Sequence, residues 1–347
     1  MKSVDYIIVG FGLAAVAFCE LLEGKGHTFV VIDDDKNYSS KVSGGLYNPV
    51  ILKRFTLSWN AEAQLQLALP MYKRLEEKLG DSFDDSLAVM RKFTSIEDQN
   101  NWLVASDKPH LQHYMDDKLI PNENPNLQAH FGFGRVKHTG KINTATLLSS
   151  YRSYLTQKGM FVTASFDYSQ LDIDTLQYQD FNANRVVFAE GFGMHQNPWF
   201  ANKALKGNKG ELLLIEASDL KLDFVVKSNV FIIPVGNNRY TIGATYDWED
   251  KTLEPTNAGK EKLLRALEGL ISCDYRVVEQ RVGMRPTVAD RRPLVGTHPV
   301  YNNLALLNGL GTRGVMIGPT VAKQLYELLE YDKPIPPEID FRRFYRT

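Results

Sequence analysis

The first apolar run, "DYIIVG" (Asp5 to Gly10), carries no alternation of polar positions, which predicts a short strand buried on both faces, the kind a parallel sheet uses. After Gly12 the apolar residues fall at Ala14, Ala17, Phe18, Leu21 and Leu22, a helical spacing that Gly24 and Gly26 bring to an end. "HTFVVID" repeats the buried-strand pattern. Together these segments predict one right-handed βαβ unit.

Further along, "LSWNAEAQLQLALPMYKRLEEKLGD" has helical periodicity that the sequence predicts to break at Pro70. The polar stretch "YMDDKLIPNENPNLQAHFGFG" predicts loops around Pro121 and Pro125. "NTATLLSSYRSYLTQKG" reads as an amphipathic helix capped by Asn143 or Thr144, followed by the strand patterns "FVTASFDY" and "NRVVFAEGFG". From Gly210 to about Ala244 the texture changes. "GELLLIEA", "FVVKSNVFIIPV" and "RYTIGATYD", with a turn at "GNN", predict an antiparallel meander. A helix over "AGKEKLLRALEGLI", the strand "NLALLNG" and a final helix over "PTVAKQLYELLE" complete the pattern. Parallel βαβ material at both ends with antiparallel sheet between them predicts a nucleotide-binding domain interrupted by a second domain. No internal repeat is visible.

A chain of 347 residues has length for about two domains. Its net charge of −1 gives no bulk electrostatic case for nucleic acid or an anionic membrane. The basic ending "FRRFYRT" reads as a short solvated tail rather than an RNA contact. Two cysteines, Cys19 and Cys273, cannot build a disulfide framework or a metal cage, so no metal is expected, and Cys19 falls on the first helix as a small core residue. Without a leader pattern or an apolar run long enough to span a bilayer, the expectation is a cytoplasmic protein with no membrane insertion.

Three small residues, Gly10, Gly12 and Ala15, lie between the first strand and helix, and acids follow at Asp33 and Asp34. In a dinucleotide grip the first glycine makes the tight turn and the second admits the pyrophosphate. The third small residue lets helix and sheet pack, and the acid takes the ribose hydroxyls. Packing alone is the alternative account of the small residues. The strand before, the helix after, the second strand and its terminal acid favour nucleotide binding, and they specify ADP without choosing NAD over FAD.

Four segments in order along the chain make that choice. They are the N-terminal unit, "SSKVSGGLYNP" (Ser39 to Pro49), "VFIIPVGNNRYTIGATYD", and the pair "VGMRPTVADRRPLVG" and "LNGLGTRGVMIGPTVA". Together they resemble the D-amino-acid oxidase-like FAD enzymes, a family that includes glycine oxidase, sarcosine oxidase and the FAD domain of the bifunctional tRNA wobble-uridine modification enzyme. The resemblance covers nearly the whole chain. It implies an α/β fold (α+β overall), with a discontinuous Rossmann-like FAD-binding domain over 1–80, 140–209 and 280–347. An antiparallel-sheet substrate domain over 81–139 and 210–279 would be inserted in it.

The same resemblance assigns Gly10, Gly12, Leu13, Ala14 and Asp33, with Asp34, to the ADP half of the cofactor. It places Ser40, Gly44, Gly45 and Leu46 against the flavin ring, lets Phe166 offer backbone to the adenine, and lets Gly191 close on the cofactor. Gly311, Thr312, Arg313, Gly314, Val315 and Met316 would run under the flavin's pyrimidine end, where amides or a helix N-terminus stabilise negative charge. No cysteine near the C-terminal turns suggests a covalent link, so the expected FAD is dissociable.

The implied reaction is loss of hydride from the α-carbon of a neutral amine to the flavin, leaving an imine that water hydrolyses. An amino-acid substrate offers its carboxylate as a handle, and guanidinium suits it as a planar fork. Arg285 stands where the family's carboxylate-binding arginine stands; a structural ion pair is the alternative. Arg313 could meet substrate, flavin phosphate or a carboxylate of the chain. Phe231 replaces a tyrosine of glycine oxidase-like sequences. Tyr246 is placed either to restore the lost hydroxyl or to pack on the sheet. His195 and His298 lie in loops where a structural role is the ordinary one.

Implied partners are a small amine or amino acid and molecular oxygen or another electron acceptor. Two alternatives stand beside that reading. One is oxidation of the carboxymethylaminomethyl group of tRNA wobble uridine, which the GLGTRG turn favours; it would leave the methyltransferase step to a separate protein. The other is a quinone-linked amino-acid dehydrogenase, which no basic amphipathic helix supports.

Overall fold

 The structure, a computed structural model, describes residues 1–36 and 39–344. Of the basic ending, Tyr345, Arg346 and Thr347 lie outside the described residues.

The first strand, Lys2–Val9, pairs in parallel with Phe29–Asp33 on one side and Phe181–Phe188 on the other. Phe161–Thr163 and Leu304–Asn308 extend the parallel pairing outward, and Leu294–Thr297 closes one edge antiparallel. Because side chains alternate across a strand, Tyr6 and Ile8 enter one core layer and Ile7 and Val9 the other. Helices α1 (Leu13–Gly24), α2 (Ala61–Leu79), α4 (Thr144–Gln157) and α6 (Gly314–Tyr331) cover the first face. Two further helices, α3 (Ile96–Ser106) and α5 (Asn257–Glu268), pack against the second sheet.

That sheet has eight strands, in the order Arg276–Arg285, Asn208–Glu216, Arg239–Gly243, Phe231–Pro234, Val225–Lys227, Val89–Lys92, Phe133–Val136 and Met115–Ile120. Its neighbours are antiparallel except Val225–Lys227 and Val89–Lys92, which run parallel. The meander expected from the sequence is thus joined to a second antiparallel group by one parallel seam.

Three local expectations are corrected. α2 runs through Pro70 without a break. Pro70 is exposed while Ala68, Met71, Tyr72 and Leu75 are buried, so apolar packing on the opposite face holds the helix across the missing amide. Met115–Ile120 is an edge strand where the polar pattern suggested loop, its pairing with Phe133–Val136 supplied by tertiary contact. The last helix begins at Gly314, before Pro319. Proline at that position leaves the Val315 carbonyl without its helical donor, and the buried Tyr72 hydroxyl donates to that oxygen at 2.9 Å. Among the described residues, no helix is long and apolar enough to cross a membrane.

Candidate active site

At the carboxyl end of the first strand, Gly10 turns the chain at φ +93°, and a Cβ there would stand 2.7 Å from the Ala189 carbonyl oxygen. The Phe11 amide donates to Asp33 Oδ2 at 2.9 Å, and the Asp35 amide to Oδ1 at 2.8 Å. Burial holds the Asp33 carboxyl above its usual range, against the opposing pull of those amides. Gly12 caps α1 without a side-chain acceptor, and the first turn carries no acid. The Leu13 amide donates to Ser40 Oγ at 3.3 Å, and with no acid in that turn the positive end of the helix favours an anion.

A cavity of about 440 Å³ begins at this turn and extends to the face of the eight-stranded sheet. Gly10, Ala189 and Asn308 border it from the ends of the parallel strands; Lys227, Phe231, Gly243 and Leu212 border it as one cross-strand row. Ligands of open α/β sheets bind in that crevice beyond the strand ends. Of the residues singled out in the sequence, Gly10, Gly12, Leu13, Ala14 and Asp33 line its first part. Ser40, Gly44, Gly45 and Leu46 also line it, as do Gly191, Gly311, Thr312, Gly314 and Val315 from the chain's later segments. Arg285, Tyr246 and Arg313 also border the cavity.

Four of the expected residues stand outside that lining. Ala15 is fully buried in α1 and serves packing. Asp34 pairs with Lys36 at 3.0 Å and accepts from the Ser165 hydroxyl. Phe166 stacks on Tyr178 at 4.2 Å between centroids, and Met316 is buried in the helical layer. Neither histidine borders the cavity: His298 Nδ1 accepts from the Val300 and Tyr301 amides at 3.2 and 3.1 Å, and His195 packs on Phe192.

Arg285 Nη1 donates to Asn208 Oδ1 at 2.7 Å and to the Thr245 carbonyl at 3.2 Å. Its guanidinium crosses Gly210, where a Cβ would lie 2.0 Å from Nη2, and its carbon lies 4.6 Å from the centre of the Tyr246 ring. Among the described residues no carboxylate forms an ion pair with Arg285 or with Arg313. Burial lowers the pKa of both guanidinium groups, and both remain cations at neutral pH. The structural ion pair considered for each is absent from the described residues.

Sequence reasoning passed over Glu190, Lys227, Asn308 and Phe11, all of which border the cavity. Glu190 accepts from the Tyr168 hydroxyl and from Asn197 Nδ2 at 2.8 Å, and burial pushes its carboxyl up to about 7. An acid ending an otherwise apolar strand, in "VVFAEG", was the available signal.

The FAD dependent oxidoreductase family model matches residues 5–328. Glycine oxidase of Bacillus subtilis is 26% identical over 152 residues, covering 42% of this chain and 41% of that protein. The tRNA 5-methylaminomethyl-2-thiouridine biosynthesis bifunctional protein of Marinobacter nauticus is 28% identical over 188 residues, covering 46% of this chain and 29% of that protein. The chain thus spans less than half the length of these two relatives. The crystal structure of glycine oxidase from Geobacillus kaustophilus superposes with a TM-score of 0.80 at 19% identity, over 99% of this chain and 98% of the other, which establishes the shared fold. With the family model spanning nearly all of the sequence, the chain belongs to the FAD-dependent oxidoreductase family.

Proposed function

We propose that this protein oxidises the C–N bond of an amine or amino acid bearing a carboxylate, with molecular oxygen as the electron acceptor. The observation that carries the reading is Arg285, a half-buried guanidinium at the cavity wall with no carboxylate partner among the described residues. Such a cation favours an anionic occupant, and its planar fork matches a carboxylate.

The residues fit the family's cofactor. The acid-free start of α1 and the glycine turn suit a pyrophosphate, and Asp33 suits ribose hydroxyls. α6 also begins without a side-chain cap or an acid in its first turn, so its amides suit the electron-rich end of a flavin. Bound non-covalently, FAD supplies the two-electron acceptor. Arg285 orients the substrate, Tyr246 shields one side of that guanidinium, and the apolar walls from Leu46, Phe231 and Ile233 limit water around the reacting carbon. Segments 1–80, 140–209 and 280–347 hold the cofactor in this reading, and 81–139 and 210–279 the substrate. The test is peroxide formation on a panel of carboxylated amines; activity on the corresponding amides at equal rate would refute the carboxylate requirement.

A second reading, oxidation of a carboxymethylaminomethyl group on tRNA, draws support from the exposed Tyr246 and Trp248, 58% and 44% accessible, since exposed aromatic rings suit stacking by bases. Glyoxylate release from undermodified tRNA tests it.

A further inference from the structure

Lys227 borders the cavity on the same cross-strand row as Phe231 and Gly243. Its ammonium lies 4.5 Å from the centre of the Phe231 ring and donates to the carbonyl of Ser228, its own neighbour. Directly across the parallel seam stands Arg91, whose charge is met by Asp98 at 2.6 Å. Lys227 has no such partner: among the described residues no carboxylate lies within ion-pair distance of it. A half-buried cation opposite another cation is unfavourable in a sheet, and burial together with Arg91 pushes the Lys227 pKa down to about 8. An apolar residue would satisfy the packing against Phe231 without that cost, and an anionic occupant would offset it.

We propose that Lys227 recognises a second anionic group on the substrate, so that the preferred substrate is a small amine carrying two acidic groups, one held by Arg285 and the other by Lys227. The inference rests on the amine-oxidation reading above. Two strand steps separate Lys227 from Gly243, roughly 10 Å at ordinary sheet spacing, and the Arg285 guanidinium borders Thr245 just beyond. Two acids on one small molecule, separated by a few bonds, suit cations so placed.

The experiment uses the FAD-loaded protein and its Lys227→Met, Lys227→Gln and Arg285→Ala variants. Binding of glycine, sarcosine and D-alanine is compared with that of iminodiacetate, D-aspartate and D-glutamate by perturbation of the flavin spectrum. The expected result is a fall of about tenfold or more in the ratio of dicarboxylate to monocarboxylate affinity in both Lys227 variants. An unchanged ratio overturns the inference. If Arg285→Ala weakens both classes while the ratio is insensitive to Lys227, the carboxylate reading stands and only the second anion falls. If Arg285→Ala changes neither class, the underlying reading falls with it.

Discussion

The guanidinium of Arg285 lies over the ring of Tyr246 at 4.6 Å, and both residues border the cavity. Replacing Arg285 by Ala removes a charge-assisted partner that is worth about 2–5 kcal/mol when half-buried. With ~1.4 kcal/mol per tenfold, kcat/KM for a carboxylated amine is expected to fall about 30- to 4,000-fold. Tyr246→Ala removes the ring contact alone, and an effect of about 2- to 30-fold is expected from a cation–π term of ~0.5–2 kcal/mol. Steady-state kinetics of both variants check the order.

Glycine substitutions separate folding from cofactor retention. Gly45 has φ +65°, and a Cβ there would stand 1.9 Å from the Ile142 carbonyl oxygen, so Gly45→Ala is expected to destabilise the fold by several kcal/mol. Gly191 has φ +58° but a Cβ there meets no protein atom within 4 Å, and the residue borders the cavity. Gly191→Ala is expected to cost ~1–2 kcal/mol in backbone strain and to weaken FAD retention more than its stability loss explains. Thermal melts and flavin stoichiometry after dialysis distinguish the two.

Tyr72→Phe removes the hydroxyl that satisfies the Val315 carbonyl. An unsatisfied buried acceptor costs about 1–3 kcal/mol, so denaturant unfolding should show a loss of that size with no change in the slope.

Glu190 gives a pH prediction for the cofactor-free protein. Burial raises its folded pKa from the ordinary 4.5 to about 7, so the folded state holds this proton more tightly than the unfolded one. The contribution favours folding at low pH and is lost as pH rises from about 4.5 to about 7. Glu190→Gln should flatten that part of the stability profile, as read from denaturation midpoints at pH 5 and at pH 8.

The βαβ start and the glycine turn were legible in the sequence because buried parallel strands and small residues at a turn leave local signals. The course of α2 through Pro70 was not, since the buried face that carries it is set by packing against α6. Lys227 was silent, an ordinary charged residue until the fold places it on the cavity wall, and Glu190 showed only as an acid ending an apolar strand. Arg285 was visible only through resemblance, and its lack of a carboxylate partner emerged from the three-dimensional arrangement.

The most direct measurement is an anaerobic titration of the FAD-loaded protein with carboxylated amines and their uncharged amide counterparts, followed by flavin absorbance. The account predicts bleaching by at least one carboxylated amine, lost in its amide and in Arg285→Ala. A flavin that no such amine bleaches, or that bleaches equally with the amide, would contradict it.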